Sequence, residues 1–276
     1  MPKIAQFFPA RFTNEPIPRF IDFKKGVGNF HDPFAGTGSA FLHFADGFKG
    51  DRKIFISDSN PDLIHLWLCI QNDPLELLKE LIPFKKESAN SKAFFIECRK
   101  RFNDENACVG EYERSALMVF LIQAGFNSLW RVNKKGKMNV PFGSQKRIPL
   151  PTEGRLEALS TLLKKAIIVH QPFEDALKVV QPKDVVYLDP PYIEVAKHSF
   201  VKYTTKGFSR DQQMLLRQEA DRLHELGAHV FASNSDTPLS REIWTGWDIA
   251  ELTRSGCMNS DATKRQRVGE LLFYRR

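Results

Sequence analysis

Apolar residues in this 276-residue chain recur with two periods, and the alternation between them lays out its elements. Short apolar runs suit buried strands, and stretches with hydrophobic residues three and four apart suit helices with one face in a core. Asn29 to Phe34 leads into a glycine-rich turn, and Phe41 to Phe44 continues beyond it as a helix. Lys53 to Ser57 is a compact apolar strand closed by Asp58, which completes a strand, turn, helix, strand unit. Three helical patterns follow, Asp62 to Gln71, Ser91 to Asn103 and Glu111 to Ala124, the last with Leu117, Phe120, Leu121 and Ala124 at helical spacing. The glycine- and proline-punctuated stretch 127 to 150 reads as an irregular arm. After it come a helix over Arg155 to Lys164, a strand over Ala166 to Val169, and a strand over Asp184 to Leu188 that delivers Asp189 to its carboxyl end. A polar stretch to Phe208 precedes a helix over Arg210 to Leu226, a strand over His229 to Ala232, and late strands near Trp247 to Leu252 and Val268 to Tyr274.

Such alternation predicts an α/β fold with a mostly parallel, doubly wound, Rossmann-like sheet covered on both faces. The run of helices after the second strand predicts an inserted helical lobe over 60–155, with 1–59 and 156–276 forming the α/β domain.

Composition narrows the class. A hydrophobic content of 42% supports a large core. No run approaches the ~18 to 20 apolar residues of a membrane helix, and the start has no signal-peptide pattern, so a soluble cytoplasmic protein is expected. Cys69, Cys98, Cys108 and Cys257 lack metal-ligand spacing, as do the histidines; reduced thiols packed in the core, and no metal, are expected. The net charge of +7 invites an acidic partner, and its distribution says more. Between Asn127 and Leu150 lie Arg131, Lys134, Lys135, Lys137, Lys146 and Arg147 with no acidic residue. From Thr253 onward Arg254, Lys264, Arg265, Arg267, Arg275 and Arg276 face only Asp261 and Glu270. Two basic stretches in one chain point to nucleic acid.

The turn Asp32-Pro33-Phe34-Ala35-Gly36-Thr37-Gly38-Ser39 has glycines where a tight corner and a close ligand approach need them. Asp58 lies twenty residues after Gly38 at the end of the next strand, where an acidic side chain takes ribose hydroxyls. Phe41 stands where a dinucleotide fingerprint has its third glycine, and Asp32 supplies a carboxylate where a pyrophosphate would want bare N–H groups. Both features argue against NAD and for a cationic nucleoside cofactor such as S-adenosylmethionine. Asp32, Phe34, Ala35, Gly36, Gly38, Ser39 and Asp58 are the candidate cofactor-binding residues here.

Asp189-Pro190-Pro191-Tyr192 is the most specific motif in the chain. The exocyclic amine of adenine is a poor nucleophile because its lone pair is delocalised into the ring. Acceptors placed at that amine help it become tetrahedral, and the Asp189 carboxylate and Pro190 carbonyl are such acceptors. Tyr192 offers an aromatic face for a base flipped from the stack. The stretch 193 to 208 beyond it, which contains His198, is a candidate flap.

With the glycine turn first, a recognition segment next and Asp-Pro-Pro-Tyr last, the chain resembles the Dam-type (alpha-group) DNA adenine-N6 methyltransferases. AGFNSLWRVNKKGKMNVPFG at 124 to 143 is similar to that family's recognition segment, with its Asn-x-Leu-x-Arg core and Asn-Val-Pro-Phe-Gly close. The resemblance implies S-adenosylmethionine contacted by Asp58 and Asp189, and a catalytic set of Asp189, Pro190, Pro191 and Tyr192 facing the target adenine. It further implies that Arg131 reads a guanine, that Asn127, Leu129 and Pro141 line the recognition face, and that the site is GATC. Lys134, Lys135, Lys137, Lys264, Arg265 and Arg267 would hold phosphate, with the chain a monomer on duplex DNA. By the same likeness 60–155 is the DNA target-recognition lobe and the remainder the catalytic domain. The chain departs from the family at its start, where FFPARFTNEPIPRF replaces the usual Gly-Gly-Lys turn, and at Gln145, where an aromatic is usual. Phe7, Phe8 and Arg11 are the residues available to substitute. Two alternatives stay open: methylation of cytosine N4 or RNA adenine, and a sequence-specific DNA-binding protein with a degenerate methyltransferase pocket.

Overall fold

The computed structural model describes residues 26–44, 51–86, 90–107, 110–133, 135–145, 147–193, 208–253 and 269–275. Lys134, Lys146, Lys264, Arg265, Arg267, Cys108, Cys257, His198, Phe7, Phe8, Arg11 and nearly all of the candidate flap lie outside them.

A seven-stranded sheet runs through the molecule in the order β3-β2-β1-β4-β5-β7-β6. Its strands are β1 (Phe30–Asp32), β2 (Ile54–Asp58), β3 (Ala166–His170), β4 (Val185–Leu188), β5 (His229–Ser235), β6 (Asp248–Thr253) and β7 (Gly269–Tyr274). β1 to β5 pair in parallel, and only β7 runs antiparallel, against both β5 and β6. The predicted mostly parallel, doubly wound sheet is therefore present. The chain winds outward from β1 to β3, then restarts at β4 on the other side of β1. Such a reversal opens a crevice at the carboxyl ends of the two central strands, where α/β sheets bind their ligands. The register Phe30↔Val185 and His31↔Val186 places Asp32 and Asp189 at that crevice. Below it, Asp184 ties β1 to β4 by accepting the Asn29 N–H at 2.7 Å and the Gln181 N–H at 2.9 Å, with His31 Nε2 at 2.8 Å.

Alternation along the strands divides the core between the two faces of the sheet. Val185 and Tyr187 join Phe30, Ile54 and Ile56 in one cluster, and Val186 and Leu188 join Val230, Ala232, Leu271 and Phe273 in the other. The first cluster continues without a break into the helices that precede β3: α2 (Pro61–Asn72), α3 (Pro74–Leu81), α4 (Lys92–Phe102), α5 (Glu111–Ala124) and α6 (Glu153–Leu163). The short helix α1 (Ser39–Phe44) follows the glycine turn. Residues Ser115 to Ala124 of α5 are all buried, so this helix is the one its neighbours wrap around. The second cluster lies under α7 (Phe173–Ala176), α8 (Arg210–Glu225) and α9 (Pro238–Ile243). No helix among the described residues is long and apolar enough to cross a membrane. Cys69 and Cys98 are free thiols in the core, as expected.

Three helices and the end of one strand escape the periodicity. Helix α3 is started by Asp73, whose side chain accepts the Leu75 and Glu76 N–H groups ahead of a first-turn proline, a cap signal that Asp73-Pro74 did carry. Helices α7 and α9 are too short for a 3.6-residue period to register. Strand β5 runs to Ser235 rather than stopping at Ala232, because Ser233, Asn234 and Ser235 are buried and hydrogen-bonded there although they are polar.

Candidate active site

The glycine turn is held from three directions. Asp58 accepts the Gly36 N–H on Oδ2 and the Asn60 N–H on Oδ1, each at 2.8 Å. The Ala35 N–H donates to the Ser57 carbonyl at 3.0 Å, and the Trp67 indole N–H donates to the Gly36 carbonyl at 3.0 Å. Gly38 has φ +85°, and a Cβ there would sit 2.6 Å from the Trp67 ring. The close approach that Gly38 permits is thus that of Trp67 packed beneath the turn. Phe34 stacks on Phe173 at 5.4 Å and meets Phe208 edge-on at 5.8 Å, while Gly36 and Ser39 stay half-exposed and Ala35 is buried.

Asp32 is 1% exposed, with Oδ1 accepting the Phe34 N–H at 3.3 Å and Oδ2 making no hydrogen bond among the described residues. Burial above all, then the charge of Asp189, pushes its carboxyl well above the usual carboxylate range; the Phe34 N–H pulls it back, and Asp58 adds a lesser push. An acid whose folded pKa is raised contributes stability fully below its unfolded pKa and loses it as pH rises through the folded value. Asp32→Asn is therefore expected to raise the unfolding free energy of the ligand-free protein near neutral pH, by on the order of 1 kcal/mol. The gain should vanish as pH falls to the ordinary carboxyl range; a melting series across pH in which the two proteins never diverge would refute it.

At the end of β4 the Asp189–Tyr192 loop is fastened at every residue but one. Ser233 Oγ donates to Asp189 Oδ1 at 2.7 Å, Gln213 Nε2 on α8 donates to the Pro191 carbonyl at 3.0 Å, and the Ile193 N–H donates to Asn234 Oδ1 at 3.0 Å. Asn234 Nδ2 in turn donates to Gln213 Oε1 at 3.1 Å, closing the network. The Tyr192 hydroxyl donates to Glu270. The Pro190 carbonyl accepts no hydrogen bond among the described residues. Burial, then the charges of Asp189 and Glu270, holds the Tyr192 phenol well above its ordinary pKa and keeps it a hydrogen-bond donor.

The segment from Gly125 to Phe142 is more ordered than the irregular arm expected over 127 to 150. It is closed at its base by the bridge Gly125↔Phe142 and nearer its tip by Val132↔Met138. Asn133 Oδ1 makes the tip turn by accepting the Lys135 and Lys137 N–H groups at 2.8 and 3.1 Å. Trp130, Val132, Met138 and Val140 point into the core, and Asn127, Lys135, Lys137 and Pro141 are exposed, with Leu129 and Arg131 between. This two-residue alternation was present in the sequence, masked by its glycine and lysines. Helix α4 holds the segment in place: Asn103 exchanges two hydrogen bonds of 2.8 Å with the Met138 backbone, and Arg99 donates to the Val140 carbonyl at 2.8 Å. Arg131 makes no ion pair among the described residues; its guanidinium donates to the Asn139 side chain at 2.8 Å and to the Asn139 carbonyl at 3.2 Å. Gln145 turns inward, its amide donating to the Gln123 carbonyl.

Asp32, Asp58 and Asp189–Tyr192 are thus brought to one crevice, while Asn127 to Pro141 form a separate presented edge. Sequence reasoning missed Trp67, Gln213, Ser233, Asn234 and Glu270, which hold the site without carrying a motif of their own.

A doubly wound sheet with an Asp-Pro-Pro-Tyr loop at its switch point is a Rossmann-like methyltransferase fold. The model of the D12 class N6 adenine-specific DNA methyltransferases matches residues 14–255, and the chain belongs to that family of enzymes. It is 31% identical over 248 residues to the type II methyltransferase M1.LlaDCHI of Lactococcus lactis subsp. cremoris, covering 88% of this chain and 85% of that one. It is likewise 31% identical over 260 residues to the type II methyltransferase M.MjaIII of Methanocaldococcus jannaschii, covering 91% and 89%. With a DNA adenine methylase of Vibrio cholerae it shares 30% identity over 243 residues, covering 87% and 84%. The likeness to the Dam-type enzymes drawn from the motifs is borne out, and DNA is the substrate class.

Proposed function

We propose that the chain transfers a methyl group from S-adenosylmethionine to N6 of an adenine flipped out of duplex DNA, within the sequence GATC. The observation that carries this reading is the buried Asp32 carboxylate, with one oxygen lacking a partner among the described residues, beside Asp58 and Asp189 at the switch point. A cluster of carboxylates fits a cationic ligand and would repel a pyrophosphate. Bound there, S-adenosylmethionine would supply an electrophilic methyl on a sulfonium. Asp32 and Asp58 would hold the cofactor. Phe34, Ala35, Gly36, Gly38 and Ser39 would shape the pocket around it.

The chain's part in the reaction is acceptance and alignment. Asp189 and the Pro190 carbonyl accept from the N6 amine, drawing its lone pair out of conjugation, and Tyr192 stacks against the base. Ser233 keeps the Asp189 carboxylate turned toward the amine. We propose 60–155 as the target-recognition lobe and 1–59 with 156–276 as the catalytic domain. On the recognition edge, Arg131 would bind guanine O6 and N7, Asn127, Leu129 and Pro141 would meet neighbouring bases, and Lys135 and Lys137 would hold phosphate. Its guanidinium is oriented by an amide rather than neutralised by a carboxylate, which suits this role.

Incubating the protein with S-adenosylmethionine and GATC-containing duplex should leave that DNA resistant to a nuclease blocked by adenine methylation; DNA that stays cleavable removes the GATC assignment. Arg131→Ala is expected to weaken discrimination at one guanine by about 1–3 kcal/mol. Methylation of substituted duplexes checks this, and a uniform loss at every position would place Arg131 on phosphate instead.

A further inference from the structure

We propose that Glu270 is a positioning residue for methyl transfer, holding the Tyr192 ring at the angle on which the extruded adenine stacks. The proposal rests on the reading that Tyr192 faces the target base. It follows from an architectural detail: β7 is the one antiparallel strand, so its first residues, not its last, lie at the carboxyl ends of the parallel strands. Glu270 pairs with Ser235 there, next to the loop that leaves β4. Its side chain is 3% exposed and accepts the Tyr192 hydroxyl.

Burying a carboxylate is costly, and an apolar residue would suit this part of the core if packing were the only demand. The neighbouring contacts show what the carboxylate adds. Gln213 fixes the Pro191 carbonyl and Asn234 fixes the Ile193 N–H, so the backbone is pinned on both sides of Tyr192. The remaining freedom is rotation of the side chain, and the bond to Glu270 removes it. The same bond polarises the phenol and makes the ring face more electron-rich. Such a face attracts the positive charge that develops on N6 as the nitrogen–carbon bond forms and the sulfur–carbon bond breaks.

The test is a double-mutant cycle of Glu270→Ala with Tyr192→Phe, read by steady-state methylation, with Glu270→Gln as the conservative variant. Each single change should lower kcat about 10- to 100-fold with KM for DNA within about threefold, as expected for one hydrogen bond to a charged group. The double variant should be no slower than the worse single, because both remove the same bond. Glu270→Gln, which keeps an acceptor oxygen, should recover most of the rate. The bond itself is read by a red-shifted phenol band, lost from the near-ultraviolet spectrum in Glu270→Ala and unaltered by that change in a Tyr192→Phe background; the loss of kcat at constant KM is what a merely structural bond would not give. Wild-type kcat in Glu270→Ala, or single effects that multiply in the double variant, would overturn the proposal. If Glu270→Ala does not fold, wild-type kcat in Tyr192→Phe overturns it alone. Tyr192→Ala separates the two readings. If it turns over normally, Tyr192 does not face the base; if it is slow while Glu270→Ala is unimpaired, only the role of Glu270 falls.

Discussion

Replacing Asp189 with alanine is expected to lower methyl transfer to DNA by about 10²- to 10³-fold, with the fold and DNA affinity retained. The magnitude is that of removing one preorganised electrostatic contact to the reacting group. Asp189 follows directly on the buried strand β4, and one of its oxygens is already committed to Ser233 Oγ at 2.7 Å. The other is available to accept from an amine. Asp189→Asn should be intermediate: its amide oxygen can keep the Ser233 contact, but the charge is gone and the amide nitrogen is a donor where an acceptor is wanted. Because the proposed DNA contacts lie on the Asn127 to Pro141 edge, duplex binding should be unchanged. Tritiated methyl incorporation, with binding and thermal unfolding measured alongside, decides the matter. Turnover retained in Asp189→Ala would sink the proposed mechanism, and loss of folding would make Asp189 structural.

Gly38→Ala should be among the most damaging single substitutions outside the Asp189–Tyr192 loop. A non-glycine residue at φ +85° pays about 1–2 kcal/mol for the left-handed backbone. Its Cβ would also stand 2.6 Å from the Trp67 ring and 2.8 Å from the Phe41 ring, and Trp67 is fully buried with its indole N–H tied to Gly36. Overpacking of this kind costs about 1–3 kcal/mol more, a large part of the stability of an ordinary domain. Denaturant unfolding should show a midpoint well below wild type, and cofactor binding should weaken because the turn moves. An unfolding midpoint equal to wild type would mean that the turn relaxes freely and that neither contact matters.

The glycine turn, Asp58, the Asp-Pro-Pro-Tyr loop and the basic segment were all legible, because each is written in consecutive residues whose backbone or charge preferences act locally. The order of strands on one side of the sheet also follows from the βαβ pattern. Less was legible where polar residues are buried. Ser233, Asn234 and Ser235 look like a loop, and only their partners on α8 and in the Asp189–Tyr192 loop explain why they extend β5. Gln145 stands where the resemblance led one to expect an aromatic on the recognition loop, and it instead fastens the segment to α5. The outward and inward alternation from Leu129 to Pro141 was obscured by Asn133 and Gly136, whose turn reverses the chain between Val132 and Met138.

By itself, the sequence determined the chemistry on offer: two motifs with carboxylates and a fixed carbonyl, an acid at the end of a strand, and a basic segment between the motifs. Periodicity and the limits on glycine and proline backbones act over a few residues, so they survive in a linear reading. Tertiary structure alone decided how that chemistry is aimed. Tyr192 and Glu270 are 78 positions apart, Asp189 and Ser233 44, and Trp67 and Gly36 31. Those pairs meet because β7 enters the sheet antiparallel, β5 pairs with β4, and α2 packs against the turn, and no local preference of the residues involved encodes any of the three.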